Sequence, residues 1–200
     1  APATTEIYTL THSSAASDVY KRQDLHTPGA EPYLEYFTLP GNERYYDFIW
    51  GPVHFFALNS DSSEPDGVGR SSEQAAWFQA RIAASTSTWK IVFFHHAPYS
   101  SGRHGPVDWM QWPFAEWGAD IVLSGHDHTY ERIIREDILY FVNGLGGRSR
   151  YDFGDKIEGS QVRYNDDYGA MLVEADESMV LLKFINRQDE VIDIYLLDKE

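Results

Sequence analysis

Along this chain the apolar residues gather into short runs between turn residues, and the spacing within each run predicts its element. "GPVHFFALNSD" is apolar over residues 53–58 and closes on polar residues, which predicts a buried strand. "SSEQAAWFQARIAAS" puts Ala75, Phe78 and Ile82 on one helical face, and Ser71 with Gln74 predicts a capping box at its start. "WKIVFF", "IVLS" and "ILYFVNGLGG" read as three further strands, the last ending in a glycine loop. "VDWMQWPFAEWGAD" predicts two short helical pieces, the second begun by Pro113, with Trp109, Trp112 and Trp117 turned into the core. "YGAMLVEADESMVLLKFINRQDEVIDIYLL" predicts three strands in an antiparallel meander. Near the start, "EIYTL" is a short strand within a polar stretch, and "TPGAEPYLEYFTLPGNERYYDF" reads as an aromatic loop packed on a core.

Strand, helix, strand, helix, strand is an α/β order, and continuous apolar strands imply burial on both faces. The 200 residues suit one domain, and an apolar fraction of 42% with 15% aromatic excludes a disordered chain. The apolar runs fall far short of the roughly 20 residues a membrane-spanning helix needs. Without cysteine there is no thiol nucleophile, iron–sulfur cluster, zinc ribbon or disulfide. Acidic residues outnumber basic ones 31 to 16, for a net charge of −15. That surface repels nucleic acid and anionic lipid, so neither a nucleic-acid-coating nor a membrane-surface role is expected. A bound cation can still receive an anionic substrate against such a background.

Four of the 8 histidines fall in two clusters, each straight after a strand. His95 and His96 follow "IVFF", with His104 further along the same loop; His126 and His128 follow "IVLS". Ligands of α/β sheets sit outside the carboxyl ends of strands, and adjacent strands would bring the clusters together. Imidazole is a common ligand of zinc, iron and manganese. In a Gly-His-x-His turn the alternate side chains can reach two neighbouring metals, with Gly125 supplying the backbone freedom. One strand-end histidine alone is more often a hydrogen-bonding loop residue, but two clusters together argue for metal.

"GHDHTYER" and "HHAPYSSG" resemble the last two signature motifs of the calcineurin-like metallophosphoesterases, in the form used by purple acid phosphatases. "NERYYDFIWGPVHFFALNSD" and "YFVNGLGGRSRYDFG" are similar to bacterial members. The resemblance spans residues 27–200 and leaves residues 1–26 as a segment that does not match. It implies the C-terminal portion of the domain: the second half of a β-sandwich flanked by helices, in α/β/β/α layers, ending in the meander. The implied activity is phosphoester hydrolysis at a binuclear centre of divalent or trivalent ions (Fe, Zn or Mn), where metal-bound hydroxide attacks phosphorus. His95 and His126 then match ligands of one metal and His128 a ligand of the other. His104 matches a catalytic histidine that meets the phosphate or the leaving group, and His96 takes a lesser substrate contact beside it. A small-molecule phosphate ester is the implied substrate, and the family suggests a secreted or periplasmic setting.

The first-half motifs of that family do not appear. "KRQD" stands where Gly-Asn-His-Asp is expected and only Asp24 fits; "SDVY" offers Asp18 and Tyr20 at a different spacing from Gly-Asp-x-x-Tyr. The chain alone is therefore expected to be impaired, with an exposed sheet edge. The competing reading is a non-catalytic fragment or binding protein with at most a weak or structural metal site. Around the histidines, Asp127 is expected to point away from the metals and Arg132 to pair with Glu131 or a loop carbonyl. Asn59 and Asp61 are expected to hydrogen-bond behind the site, and "NGLGG" to close a strand.

Overall fold

Eleven strands and one α-helix make up the regular structure of residues 6–10 and 38–199, the part of the chain the computed structural model describes. Seven strands form a large sheet. In spatial order they are β2 (Tyr46–Trp50), β3 (Val53–Ala57), β4 (Trp89–Phe93), β5 (Ile121–Ser124), β7 (Ile138–Asn143), β6 (Tyr130–Arg135) and β8 (Ser160–Tyr164). β3, β4, β5 and β7 run parallel, while β2, β6 and β8 are antiparallel to their neighbours. The small sheet is antiparallel throughout, in the order β1 (Glu6–Leu10), β9 (Gly169–Ala175), β10 (Met179–Asn186) and β11 (Val191–Asp198). The expected meander is β9 to β11, and "EIYTL" is β1.

Period-two alternation divides the buried side chains between two cores. Val53, Phe55, Trp89, Ile91, Ile121, Leu123, Leu139 and Phe141 face the small sheet and meet Met171, Val173, Leu182 and Phe184 there. Their neighbours Phe56, Val92, Val122, Tyr140 and Val142 face the other way, against the helix and its loops. A strand apolar at every position is thus one that serves two cores, as in sheets covered on both sides. Helix, large sheet and small sheet are the three layers of the described residues.

The helix α1 (Glu73–Ala83) buries Gln74, Ala75, Phe78 and Ile82, and burying Phe78 completely stabilises the fold by about 1.5–3 kcal/mol. Its N-cap is Ser72, one residue later than expected, whose side chain accepts the Ala75 N–H at 3.1 Å. Gln74 makes no capping box. It lies fully buried, its Oε1 accepting the Asn59 N–H at 2.7 Å and its Nε2 donating to the Asn59 carbonyl at 2.9 Å. A tertiary partner therefore outcompetes the local one.

The "VDWMQWPFAEWGAD" segment also differs from expectation. It forms a 3₁₀ turn at Asp108–Met110 and a single turn at residues 114–118. Trp112 and Phe114 are pulled into the aromatic core around Phe78, and Gly118 ends the second turn with φ of 96°. Trp109 is not in the core at all, with 42% of its surface exposed.

Strands β2, β6 and β8 carried no clear sequence signal. β2 is an edge strand with mixed exposure, and β8 alternates exposed and half-buried residues. β6 turns into β7 through Glu136 and Asp137, both at positive φ (53° and 62°), a two-residue hairpin with no glycine at either central position.

One polar cluster ties α1 to β2 and β3. The Asp47 carboxylate meets His54 Nε2 at 2.7 Å and Arg81 at 2.7 and 3.1 Å, while His54 Nδ1 meets Ser85 Oγ at 2.8 Å. Burial pushes the Asp47 carboxyl up, but hydrogen bonds from Arg81 and His54 and their charges outweigh it and hold it below the usual carboxylate range. A depressed folded-state pKa stabilises the fold above the unfolded value, near 4, and that contribution fades as pH falls through the folded value. Denaturant unfolding between pH 5 and 2 should thus show Asp47→Asn losing less stability on acidification than the parent. Parallel pH profiles for the two would contradict this role.

Candidate metal centre

The histidines collect where β3, β4 and β5 end side by side. Backbone pairing continues past the strands: Leu58 N–H donates to the Phe93 carbonyl, Phe94 N–H to Leu123, and Gly125 N–H to His95, at 3.0 to 3.1 Å. This zip brings residues 59–60, 95–96 and 125–128 to one rim of the sheet. His95 Nε2 and His126 Nδ1 lie 3.0 Å apart. One ring nitrogen from each of His95, His96 and His126 falls within 4.8 Å of the others, and all three residues are half-buried. His104 is exposed, its ring centroid 4.2 Å from that of His126.

The turn that presents His126 is backbone-strained. Asp127 N–H donates to the Gly125 carbonyl at 2.8 Å and His126 itself takes φ of 66°, the signature of a γ-turn. The expected freedom at Gly125 is not what permits it. Gly125 is not at positive φ, and a Cβ there would meet only ordinary contacts at 3.9 and 4.0 Å. Strain kept at one residue among functional side chains marks a geometry the surroundings enforce.

Those surroundings centre on Asp127. It is wholly buried, its carboxylate accepting Ser100 Oγ–H at 2.6 Å and His104 N–H at 2.8 Å. These bonds fix the loop that carries His104. Two glycines admit it: a Cβ at Gly102 would sit 2.4 Å from Asp127 Cγ, and one at Gly144 would sit 1.9 Å from the Asp127 carbonyl oxygen. "NGLGG" therefore closes β7 by packing under the histidine turn.

His128 is buried and faces differently from the other three. Its Nδ1–H donates to the Ser149 carbonyl at 2.6 Å, and its ring stacks on Tyr151 with centroids 4.1 Å apart. A backbone acceptor on one ring nitrogen fixes the tautomer and leaves the coordinating lone pair on Nε2, the usual arrangement behind metal-binding histidines. Ser60, which carries no signal in the sequence, supports the same corner. Its Oγ accepts the His96 N–H at 3.0 Å and meets His96 Nδ1 at 3.0 Å. Asn59 and Asp61, on either side, bond to Glu64 and Ser63 instead. Trp109 leans on the same corner, its indole N–H donating to the Ser60 carbonyl at 3.1 Å and its ring 5.8 Å from His96.

The neighbours of the motif are structural. Glu131 accepts Ser101 N–H and Oγ–H at 2.7 and 2.5 Å, which leaves Arg132 to pair with Asp193 at 2.7 Å rather than with Glu131. His54 serves Asp47 and Ser85, as above. His12, Asp18, Tyr20, Asp24 and His26 lie outside the described residues.

Imidazoles converging at this spacing are a donor set suited to zinc, iron or manganese. Residues 12–130 match the family model described as calcineurin-like phosphoesterase. The chain belongs to that family. As a calcineurin-like phosphoesterase it is similar to purple acid phosphatase 15 of Arabidopsis thaliana, 31% identical over 117 residues, covering 51% of this chain and 21% of that protein. Purple acid phosphatase 23 of the same plant is 27% identical over 154 residues, covering 68% and 32%. The structure of purple acid phosphatase PPD1 from yellow lupin seeds superposes with a TM-score of 0.74 at 20% identity, over 86% of this chain and 36% of that one, which shows the shared fold. The calcineurin-like phosphoesterase chain spans about a fifth to a third of the length of these curated relatives. The family generally uses divalent metals, and His95, His96 and His126 form a group that could hold one.

Proposed function

We propose that this chain is the part of a metal-dependent phosphoester hydrolase that carries its histidine ligands and substrate-facing loop. The observation that carries the reading is the meeting of His95 Nε2 and His126 Nδ1, 3.0 Å apart, at the carboxyl ends of two adjacent parallel strands. His95 and His126 would hold one cation, and His128, its Nδ1 tied to Ser149, would offer Nε2 to a second. When bound, the pair of cations supplies Lewis acidity to the phosphoryl oxygens and acidifies the attacking water. His104 is exposed over His126, with its backbone anchored by Asp127, so its imidazole can hydrogen-bond the phosphoryl group and give a proton to the leaving oxygen. Zinc, iron or manganese fits these nitrogen donors, and a small phosphate ester fits an exposed rim on an otherwise acidic surface.

The test uses a longer parent protein alongside this chain, with a generic aryl phosphate as substrate and metal content measured in parallel. The parent is expected to hydrolyse it, and His95→Ala or His126→Ala to lower kcat/KM by ~10²–10³-fold together with metal content. These 200 residues alone are expected to fall at least ~100-fold below the parent, because the carboxylates that neutralise two close cations are not among the motifs the chain carries. Unchanged metal content in both variants would remove the assignment. Metal uptake without hydrolysis by the parent would favour the structural-site reading.

A further inference from the structure

We infer that Trp109 is the platform of an aryl subsite beside the histidine rim, so that the favoured substrates are phosphate esters whose leaving group is an uncharged aromatic ring. The inference rests on the proposed reading that the rim receives a phosphoryl group. It goes beyond that reading in naming what the rest of the substrate is and which residue selects it.

The first observation is exposure beside the rim. Trp109 keeps 42% of its surface open, although an indole gains more from burial than most side chains. The other large apolar side chains left exposed among the described residues lie on β2, β6 and β11. Trp109 instead stands edge-on to His96, with 5.8 Å between ring centroids and 62° between planes. His96 in turn lies 4.6 Å from His126. A group bound over these imidazoles is therefore about one ring away from the indole.

The second is that the indole is held in place. Its N–H donates to the Ser60 carbonyl at 3.1 Å, and the Trp109 carbonyl accepts the N–H of the buried Trp112 at 2.9 Å. Ser60 is 2% exposed, and its hydroxyl accepts the His96 N–H at 3.0 Å. One buried serine thus sets platform and rim at a fixed spacing, and the 3₁₀ turn at Asp108–Met110 fixes the backbone that carries the indole. A flat ring already in position stacks on a ligand without the entropy loss of ordering a loose one.

The third is charge. A net charge of −15 repels a leaving group that carries a second anion, whereas an uncharged ring meets no such repulsion and gains the indole surface. In the hydrolysis the water oxygen bonds to phosphorus, the bond from phosphorus to the aryl oxygen breaks, and a water proton ends on the departing phenol.

The experiment uses the metal-loaded longer parent protein and two pairs of probes. Phenyl and ethyl phosphate give kcat/KM; the non-hydrolysable phenylphosphonate and methylphosphonate give Kd by calorimetry. The parent is expected to bind phenylphosphonate about tenfold more tightly than methylphosphonate, with the phenyl proton resonances shifted by the indole ring. Trp109→Ala should cut that binding ratio, and the phenyl-to-ethyl ratio of kcat/KM, by about tenfold. Trp109→Phe, which keeps a ring but no N–H, should retain most of both. A purely structural indole would lower both members of each pair alike and would not be rescued by phenylalanine. That result, or a parent without phenyl preference in binding, overturns the inference and leaves the proposed function standing. If the parent hydrolyses neither ester, the proposed function falls and takes the subsite with it.

Discussion

Replacing Gly144 with alanine is expected to disrupt the histidine rim proposed to bind metal and to weaken the fold in one step. The added Cβ would lie 1.9 Å from the Asp127 carbonyl oxygen, 2.9 Å from its carbonyl carbon and 3.2 Å from His128 Cα. All three are backbone atoms of the turn that carries His126 and His128, so no flexible side chain can yield. Overpacking of this kind costs about 3 kcal/mol or more when the backbone must move. For a chain of this length that lowers Tm by roughly 6–12 °C. Whatever displacement relieves the clash also moves the two histidines apart from His95. Gly125→Ala is the matched control, since its Cβ meets nothing closer than 3.9 Å, and it should keep both stability and zinc affinity. Thermal unfolding and zinc titration of the two variants decide the matter: Gly144→Ala behaving like Gly125→Ala would contradict the packing argument.

The second large effect is expected at Asp193, in the seam between the two sheets. Its carboxylate on β11 accepts Tyr130 Oη–H at 2.8 Å and Arg132 at 2.7 and 3.2 Å, both from β6 of the other sheet. Burial, and then the Asp193 charge, push the Tyr130 phenol far up, so it remains a donor across the accessible pH range. Arg132 also lies over the Tyr195 ring at 4.8 Å. Asp193→Ala would leave a guanidinium and a phenol facing each other in the seam between the sheets. Removing one partner of such a buried pair costs about 3–5 kcal/mol. Asp193→Asn keeps an acceptor and should lose less. Urea unfolding measures both, and an alanine variant that loses under about 1 kcal/mol, well short of the buried-pair range, would show that the carboxylate is not what ties the sheets.

Much of the architecture could be read in the chain because its causes are local. Continuous apolar runs marked β3, β4, β5 and β7, and the polar turns of the last third marked the meander. The helix was legible from the spacing of Ala75, Phe78 and Ile82, though its cap was not. Ser71 and Ser72 are equivalent as sequence, and only the burial of Gln74 against Asn59 decides between them. β2, β6 and β8 were obscure because they are strands by partnership: their residues alternate poorly, and pairing with an already formed neighbour supplies what their own pattern does not. Trp109 and Trp112 look alike at near-helical spacing, yet one fills the core around Phe78 and the other stands at the rim beside His96.

By itself, then, the sequence determined which imidazoles lie at strand ends and which family motifs hold them, since side-chain chemistry and strand length are written in consecutive residues. Tertiary structure alone decided the rest of the site. It brought His95 to His126 across 31 residues and set Ser60 under His96 across 36. It also moved the backbone strain from Gly125 to His126. The physical reason is the order of strands in the sheet: lateral pairing of β3, β4 and β5 fixes which loops share a rim, and no spacing within a single loop encodes that order.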